Sequence, residues 1–224
     1  MKRTLRQTPV IKYLTLCYAA LLLVLGIVRT IEYKNLQRSN AHLYELVNKS
    51  VRRQSILTDV RKSVDYVTED ILSILLYPEM ERKPAIEEIT SFEVSKNDSN
   101  LVEYQKLLEG SEEEQFFNKV QSFHTLNAKN SESIVQLIKE NKYPEAILFN
   151  KNQFFQSNKE FQKANTALAD FVNRRDNVEI KSIEQQLSLI DHLIILTTVF
   201  ILILIGALGF LIGKTIKIMK RINS

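Results

Sequence analysis

Tryptophan is absent from this chain of 224 residues, and cysteine occurs once, at Cys17. A single thiol excludes an internal disulfide framework and a cysteine-based zinc site. Five glycines and four prolines are too few for an all-β domain rich in tight turns. Four of those glycines (Gly26, Gly206, Gly209, Gly213) lie in or beside apolar runs, and no phosphate-cradling loop is present. The three histidines, His42, His124 and His192, lack the i,i+3 or i,i+4 pairing that a helical metal site favours. No catalytic constellation appears, so neither an enzyme nor a cofactor is expected. Acidic residues are missing from both ends, since none precedes Glu32 or follows Asp191. The ends carry eight bases: Lys2, Arg3, Arg6, Lys12, Lys214, Lys217, Lys220 and Arg221. The remaining 22 bases face 26 acids in the middle, a balance of −4 inside a chain of net charge +4. Two basic ends around a mildly acidic middle argue against a nucleic-acid partner.

Two runs have the length and composition of membrane spans. Leu193 to Ile212 reads LIILTTVFILILIGALGFLI, twenty residues without a formal charge. A bilayer core of about 30 Å takes roughly 20 helical residues. Tyr13 to Val28 gives sixteen more, with Pro9, Val10 and Ile11 extending the run and Lys12 able to snorkel to the headgroups. No small-x-small cleavage site lies between Gly26 and Tyr33, and Leu16 before Cys17 makes a poor lipoprotein box, so an uncleaved anchor is expected. The positive-inside rule places both basic ends in the cytoplasm and the middle outside the cytoplasmic membrane, in the periplasm if the source is a bacterium. The expected layout is a cytoplasmic segment 1–12, spans at 13–31 and 192–213, an extracytoplasmic domain at 32–191, and a basic tail at 214–224.

The middle reads as four helices, at about 32–77, 84–109, 112–141 and 144–191. Two interleaved heptad series mark the first: Leu36, Leu43, Ser50, Leu57, Val64, Ile71 and Ser39, Leu46, Arg53, Val60, Val67, Ile74. Such spacing makes one stripe that packs in a bundle. Pro78 ends this helix, and Pro84 suits the first turn of the next. The second helix carries Ile86, Ile89 and Phe92, then Leu101, Tyr104 and Leu108 in shifted phase; the polar run at 95–100 is expected to bend or interrupt it. Gly110 is read as its C-terminal cap. Ser111 with Glu114 is a capping-box pattern opening the third helix, whose stripe is Phe116, Val120, Phe123, Asn127, Asn130, Ile134 and Leu137. Pro144 suits the first turn of the fourth, which carries Ile147, Phe154, Phe161, Leu168 and Leu189 at multiples of seven. The predicted fold is thus all-α, an antiparallel four-helix bundle flanked by two transmembrane helices. Helices two and three are too short to cover the first and fourth, so the remainder forms a two-helix stalk that a second copy completes. A homodimer is expected.

The stretches VRKSVDYVTEDILSILLY (60–77) and SIVQLIKENKYPEAILFNKNQFF (133–155) resemble the four-helix-bundle sensor module of methyl-accepting chemotaxis receptors and related sensor kinases. The likeness extends over nearly the whole chain. It implies a ligand- or protein-sensing role and a relay through the second membrane helix. The sequence KTIKIMKRINS resembles the entry to those receptors' signal-converting linker, with no kinase-controlling region after it. Output is therefore expected from a signalling partner in trans.

Candidate sites sit beside plainer readings. Arg53 falls on the stripe of the first helix, where an unpaired charge is expensive. The resemblance implies that arginines of this helix bind ligand carboxylates near a dimer interface. The level of Arg53, close to the turn bearing Glu109, Glu112, Glu113 and Glu114, favours an ion-pair collar instead. Arg61 and Lys62, two turns higher, are better placed for a ligand, although such residues more often form a solvated face. Phe154 and Phe155 are the aromatic ligand candidates; Phe154 and Phe161 keep the core phase, whereas Phe155 lies off it. Asn127 and Asn130 interrupt the third stripe and are read as fixing register. Gly209 and Gly213 form a G-x-x-x-G pair suited to close helix packing in lipid. Two functions fit: a membrane sensor subunit responding to a small molecule or a periplasmic protein, or a two-anchor helical scaffold of an envelope complex that binds no metabolite.

Overall fold

The computed structural model describes residues 9–78 and 85–222. The expected helix start at Pro84 and the bases Lys2, Arg3 and Arg6 lie outside them. Five α-helices make up the described chain: α1 (Pro9–Leu76), α2 (Ile86–Gln105), α3 (Ser111–Lys139), α4 (Tyr143–Phe149) and α5 (Phe155–Ile222), with a π-helical turn, Asn150–Phe154, joining the last two. No strand occurs among the described residues. The residues divide into two compact units. One contains the described parts of Met1–Tyr44 and Ile180–Ser224; the other is Glu45–Glu179.

The unit Glu45–Glu179 is the bundle. Leu57, Val60, Val64, Val67, Ile71 and Ile74 of α1 are all buried, as the heptad predicts. They meet two apolar clusters. One gathers Val60, Leu101, Phe117, Val120, Phe161 and Leu168. The other gathers Ile71, Ile74, Ile86, Ile134, Ile138 and Phe154.

Expectations for three segments need correction. First, α2 runs through the polar stretch 95–100 without a break, because Thr90 and Asn97 occupy buried positions of one continuous stripe with Ile86, Leu101 and Tyr104. Phe92 points to solvent. The helix also ends at Gln105, short of 109, and Gly110 caps the N-terminus of α3 rather than the end of α2. Its φ of 84° lies in the left-handed region that a Cβ disfavours, and no side-chain cap forms at Ser111. Second, the buried residues of α3 are Glu113, Phe117, Val120, His124, Asn127, Asn130, Ser131, Ile134, Val135 and Ile138, so Asn127 and Asn130 lie on the core face as expected, but Phe117 rather than Phe116 enters the core. Third, the heptad of the fourth segment fails at both ends. Ile147 is 52 % exposed while its neighbour Ala146 is fully buried. A π turn inserts one extra residue into an α-helix, so the core position preceding Phe154 falls eight residues back instead of seven. That phase lets Tyr143, Ala146 and Phe149 pack against the Ile71–Ile138 cluster. At the other end Ile183 is buried and Leu189 exposed, because 3.6 residues per turn drifts from a strict heptad.

In the other unit the partly buried positions recur at helical spacing. They include Tyr18, Leu25, Arg29, Glu32 and Leu36 on α1, and Leu187, Ile190, Ile194, Thr197, Ile201, Leu204 and Leu208 on α5. The opposite faces, with Leu23, Ile27, Leu202 and Phe210, are exposed. Both α1 and α5 contain windows long and apolar enough to cross a membrane.

The π-turn phase has a direct test. Phe161→Ala should destabilise the bundle by about 3–5 kcal/mol, and Ile147→Ala by less than ~0.5 kcal/mol, in denaturant titrations of the two variants.

Candidate functional site

Arg53 is fully buried, at 0 % exposure, and the α2–α3 connection, α3 and α5 converge on it. Its Nη1 donates to both carboxylate oxygens of Asp176 on α5, at 3.2 Å each. Its Nε donates to the Leu107 carbonyl at 3.1 Å, and its Nη2 lies 2.8 Å from Glu109 Oε2. Glu113 of α3, equally buried, accepts from the Tyr104 hydroxyl at 2.9 Å and from the Glu109 backbone N–H at 3.0 Å. Arg175 completes the cluster, donating to Glu113 Oε2, to the Glu109 carbonyl at 3.0 Å and to Asp176 Oδ1 at 2.8 Å. Lys49 reaches Glu109 Oε1 at 3.4 Å. Three cations therefore meet three carboxylates. Burial works against ionisation of Glu109, but the hydrogen bond and charge of Arg53, with Arg175 and Lys49, outweigh it and hold the carboxyl below its usual range. Burial and the adjoining Glu113 carboxylate push the Tyr104 hydroxyl far above its ordinary value, so it remains a donor.

The expected collar around Arg53 thus exists, with Glu109 and Glu113 in it. Glu112 and Glu114 point outward. Arg175 and Asp176 escaped the sequence reading, yet Asp176 stands on the buried stripe Phe161, Leu168, Val172 of α5. Two lone charges of opposite sign on facing stripes were the available signal.

Above the collar, side-chain amides join α1 and α5. Gln54 donates to the Ala169 carbonyl (3.1 Å), Asn165 to the Leu57 carbonyl (3.2 Å), Gln162 to Asp65 (2.6 Å) and Asn158 to Thr68 (3.0 Å). Partner numbers fall along α5 as they rise along α1, so the two helices are antiparallel. These polar rungs stand beside the apolar cluster that Leu57, Val60 and Val64 of α1 share with Phe161, Leu168 and Val172 of α5.

A polar layer divides the two apolar clusters. It contains Asn97, His124, Asn127, Ser131 and Ser157, all buried. Ser157 donates to the Phe154 carbonyl at 2.9 Å and lies 3.3 Å from Asn127 Oδ1, and Ser131 donates to the Asn127 carbonyl at 2.9 Å. His124 Nδ1 is 3.5 Å from Asp98 Oδ1, and its ring meets Phe161 edge-on. Burial lowers the His124 pKa, and Asp98 only partly offsets this.

The predicted ligand residues separate. Phe154 is a core residue at 0 % exposure. Arg61, Lys62 and Phe155 face outward, and Arg61 has Asp65 at 3.9 Å as an i,i+4 neighbour. The Asp65–Gln162 and Thr68–Asn158 pairs put Arg61 level with about residue 165, hence ~15 Å along α5 from Phe155 at 1.5 Å per residue. Those two do not converge. A Cβ at Gly209 or Gly213 would meet nothing within 4 Å, so neither glycine makes a close helix approach inside this chain. Among the described residues no group of His, Cys, Asp and Glu is arranged to hold a metal ion.

The other unit has a polar cluster at the ends of its apolar windows. Arg29 donates to the Ile194 carbonyl at 3.0 Å, to the Thr198 hydroxyl, and to Glu32 at 3.3 Å, while the Thr197 hydroxyl donates to the Leu193 carbonyl of its own helix at 2.9 Å.

The unit Glu45–Glu179 is an antiparallel helical bundle whose buried charges are paired with one another. Comparison with protein families makes this specific. Residues 9–179 match the family described as a four helix bundle sensory module for signal transduction, and the chain belongs to that family. No curated protein matches the chain.

Breaking the collar from one side should be worse than removing it. Arg53→Met leaves Arg175 and Lys49 to face three carboxylates and should destabilise the bundle by about 3–5 kcal/mol, while Arg53→Met with Asp176→Leu recovers part of that loss; chemical denaturation of single and double variants decides. For His124, the lowered folded pKa means the unfolded chain binds the extra proton first. Stability should therefore fall as pH drops below the ordinary value of 6.5 toward the lowered one. Melting curves of His124→Leu, compared with the unaltered chain across that window, should lose this dependence.

Proposed function

We propose that the chain is a membrane-anchored sensor subunit of chemoreceptor type. Its bundle stands outside the cytoplasmic membrane, both ends lie in the cytoplasm, and a homodimer is the working form. The membership in a sensory-module family carries this reading. The two apolar windows support the anchoring, and the exposed Val47 and Val51 on one side of α1 support pairing with a second copy.

In this reading a ligand or periplasmic protein binds the outward face of the bundle, where Arg61, Lys62 and Phe155 are available, and favours one packing of α5 against α1. Only a ligand with different affinities for two packings shifts their balance. The α1–α5 seam suits such a change. Its rungs are amide hydrogen bonds to backbone and polar acceptors, each with a net contribution of about 0.5–1.5 kcal/mol, so re-pairing them costs less than extracting packed leucines. One helix, Phe155–Ile222, holds both the Asp176 collar residue and the apolar run, which supports a relay toward Lys214 and Lys217 and a signalling partner in trans.

Crosslinking of the tagged chain in native membranes, followed by mass spectrometry, tests the reading. A receptor, kinase or coupling protein is expected among the captured partners, and Arg61→Ala with Phe155→Ala should blunt the response to any ligand. Recovery of envelope-assembly proteins without signalling components would replace the sensor by a scaffold.

A further inference from the structure

His42 and His192 are exposed, whereas His124 keeps only 3 % of its surface in solvent. Each neighbouring helix meets its ring with a different group. α2 sets Asp98 Oδ1 at 3.5 Å from Nδ1, and that carboxylate is 66 % exposed at the rim of the bundle. α5 sets Phe161 against the ring, with centroids 6.1 Å apart. α1 offers Val64 and Val67, which with Val94 and Asn97 of α2 line a half-open groove beside the imidazole. Nearby charges are engaged elsewhere: Glu93 with Lys96 and Ser63, Glu160 with Lys163, Asp65 with Arg61 and Gln162. Lys62, Lys129 and Lys159 point outward. Asp70 lies beyond Val64 on α1, ~9 Å farther along the helix at 1.5 Å per residue. Asp98 is thus the charge that acts on His124.

Burial strips the ring of water, and it opposes a positive charge there more than Asp98 favours one. A packing that admits water to the ring binds the proton more tightly, so acid shifts the balance toward it. The groove between α2 and α3 marks where that packing opens. We propose that His124 is an acid-responsive latch: its protonation releases α2 from α3 at the polar layer while the Arg53 collar stays closed. The collar keeps its charges through that change, since Glu109 is held below its usual range. Phe161, fully buried on α5, is the contact through which the displaced ring reaches the helix that carries the apolar run. As a stimulus for signalling this rests on the sensor reading above; as a change of packing it does not.

Spin labels at two exposed positions, Ser95→Cys on α2 and Ser122→Cys on α3, give the test. In a Cys17→Ser background, double electron–electron resonance on the full-length chain in detergent reads the α2–α3 separation. Between about pH 7.5 and about pH 5, a window that spans the ordinary imidazole range, a longer-distance population should grow several-fold. His124→Leu should abolish that growth. Asp98→Asn should enlarge it, because losing the carboxylate weakens proton binding chiefly in the closed packing. A separation that ignores pH, or that responds equally in His124→Leu, would overturn the latch and leave the sensor reading standing. An undiminished response in a chain whose captured partners are envelope-assembly proteins would uphold the latch and remove only its signalling use.

Discussion

A guanidinium taken out of water must be met by anions on every side that solvent has left, and Arg53 imposes that condition on the bundle. Its partners come from the α2–α3 connection, from α3 through Glu113, and from α5 through Asp176. No helix can slip by a turn without leaving a charge unpaired in the interior, a loss larger than most single packing defects. The constraint reaches local structure as well. The chain leaves α2 at Gln105 rather than continuing, and this brings the Leu107 carbonyl and the Glu109 side chain inward to the guanidinium.

Above that level the interior alternates between apolar and polar layers. Clusters of isoleucine, valine and phenylalanine supply burial, and the layer of Asn97, His124 and Asn127 between them supplies register, since a polar group that finds its partner in one alignment is orphaned in its neighbours. The α1–α5 seam follows the same logic with weaker bonds. The bundle is thus held by the charged collar at Arg53, by its two apolar clusters and by the amide rungs between α1 and α5.

The long stripe of α1 was legible because twelve positions repeat at one period and no other reading fits them. On α3 the period was equally visible, but Phe116 and Phe117 are adjacent, and choosing the apolar phase discarded Glu113 and His124. The true core face there contains a carboxylate and an imidazole, whose partners Tyr104, Arg175 and Asp98 sit on other helices. No window on α3 alone reveals them. Arg53 was recognisable as a charge in need of partners, and the nearby glutamates were found by counting levels. Asp176 was missed because the fourth segment had been read in strict sevens from Ile147, which carries the expected core positions past it. The ligand candidates were chosen by type and height, and exposure separated Phe154 from Phe155.

The π turn at Asn150–Phe154 resets the helical phase within a single element. Everything that follows Phe154 keeps one core register, and everything before Asn150 keeps another, so a residue gained or lost in α4 need not propagate into the long helix below. The tip of the bundle is in that sense a modular joint. Distal segments of different length and phase can be exchanged there by natural variation or by grafting, while the collar and the seam retain their pairing.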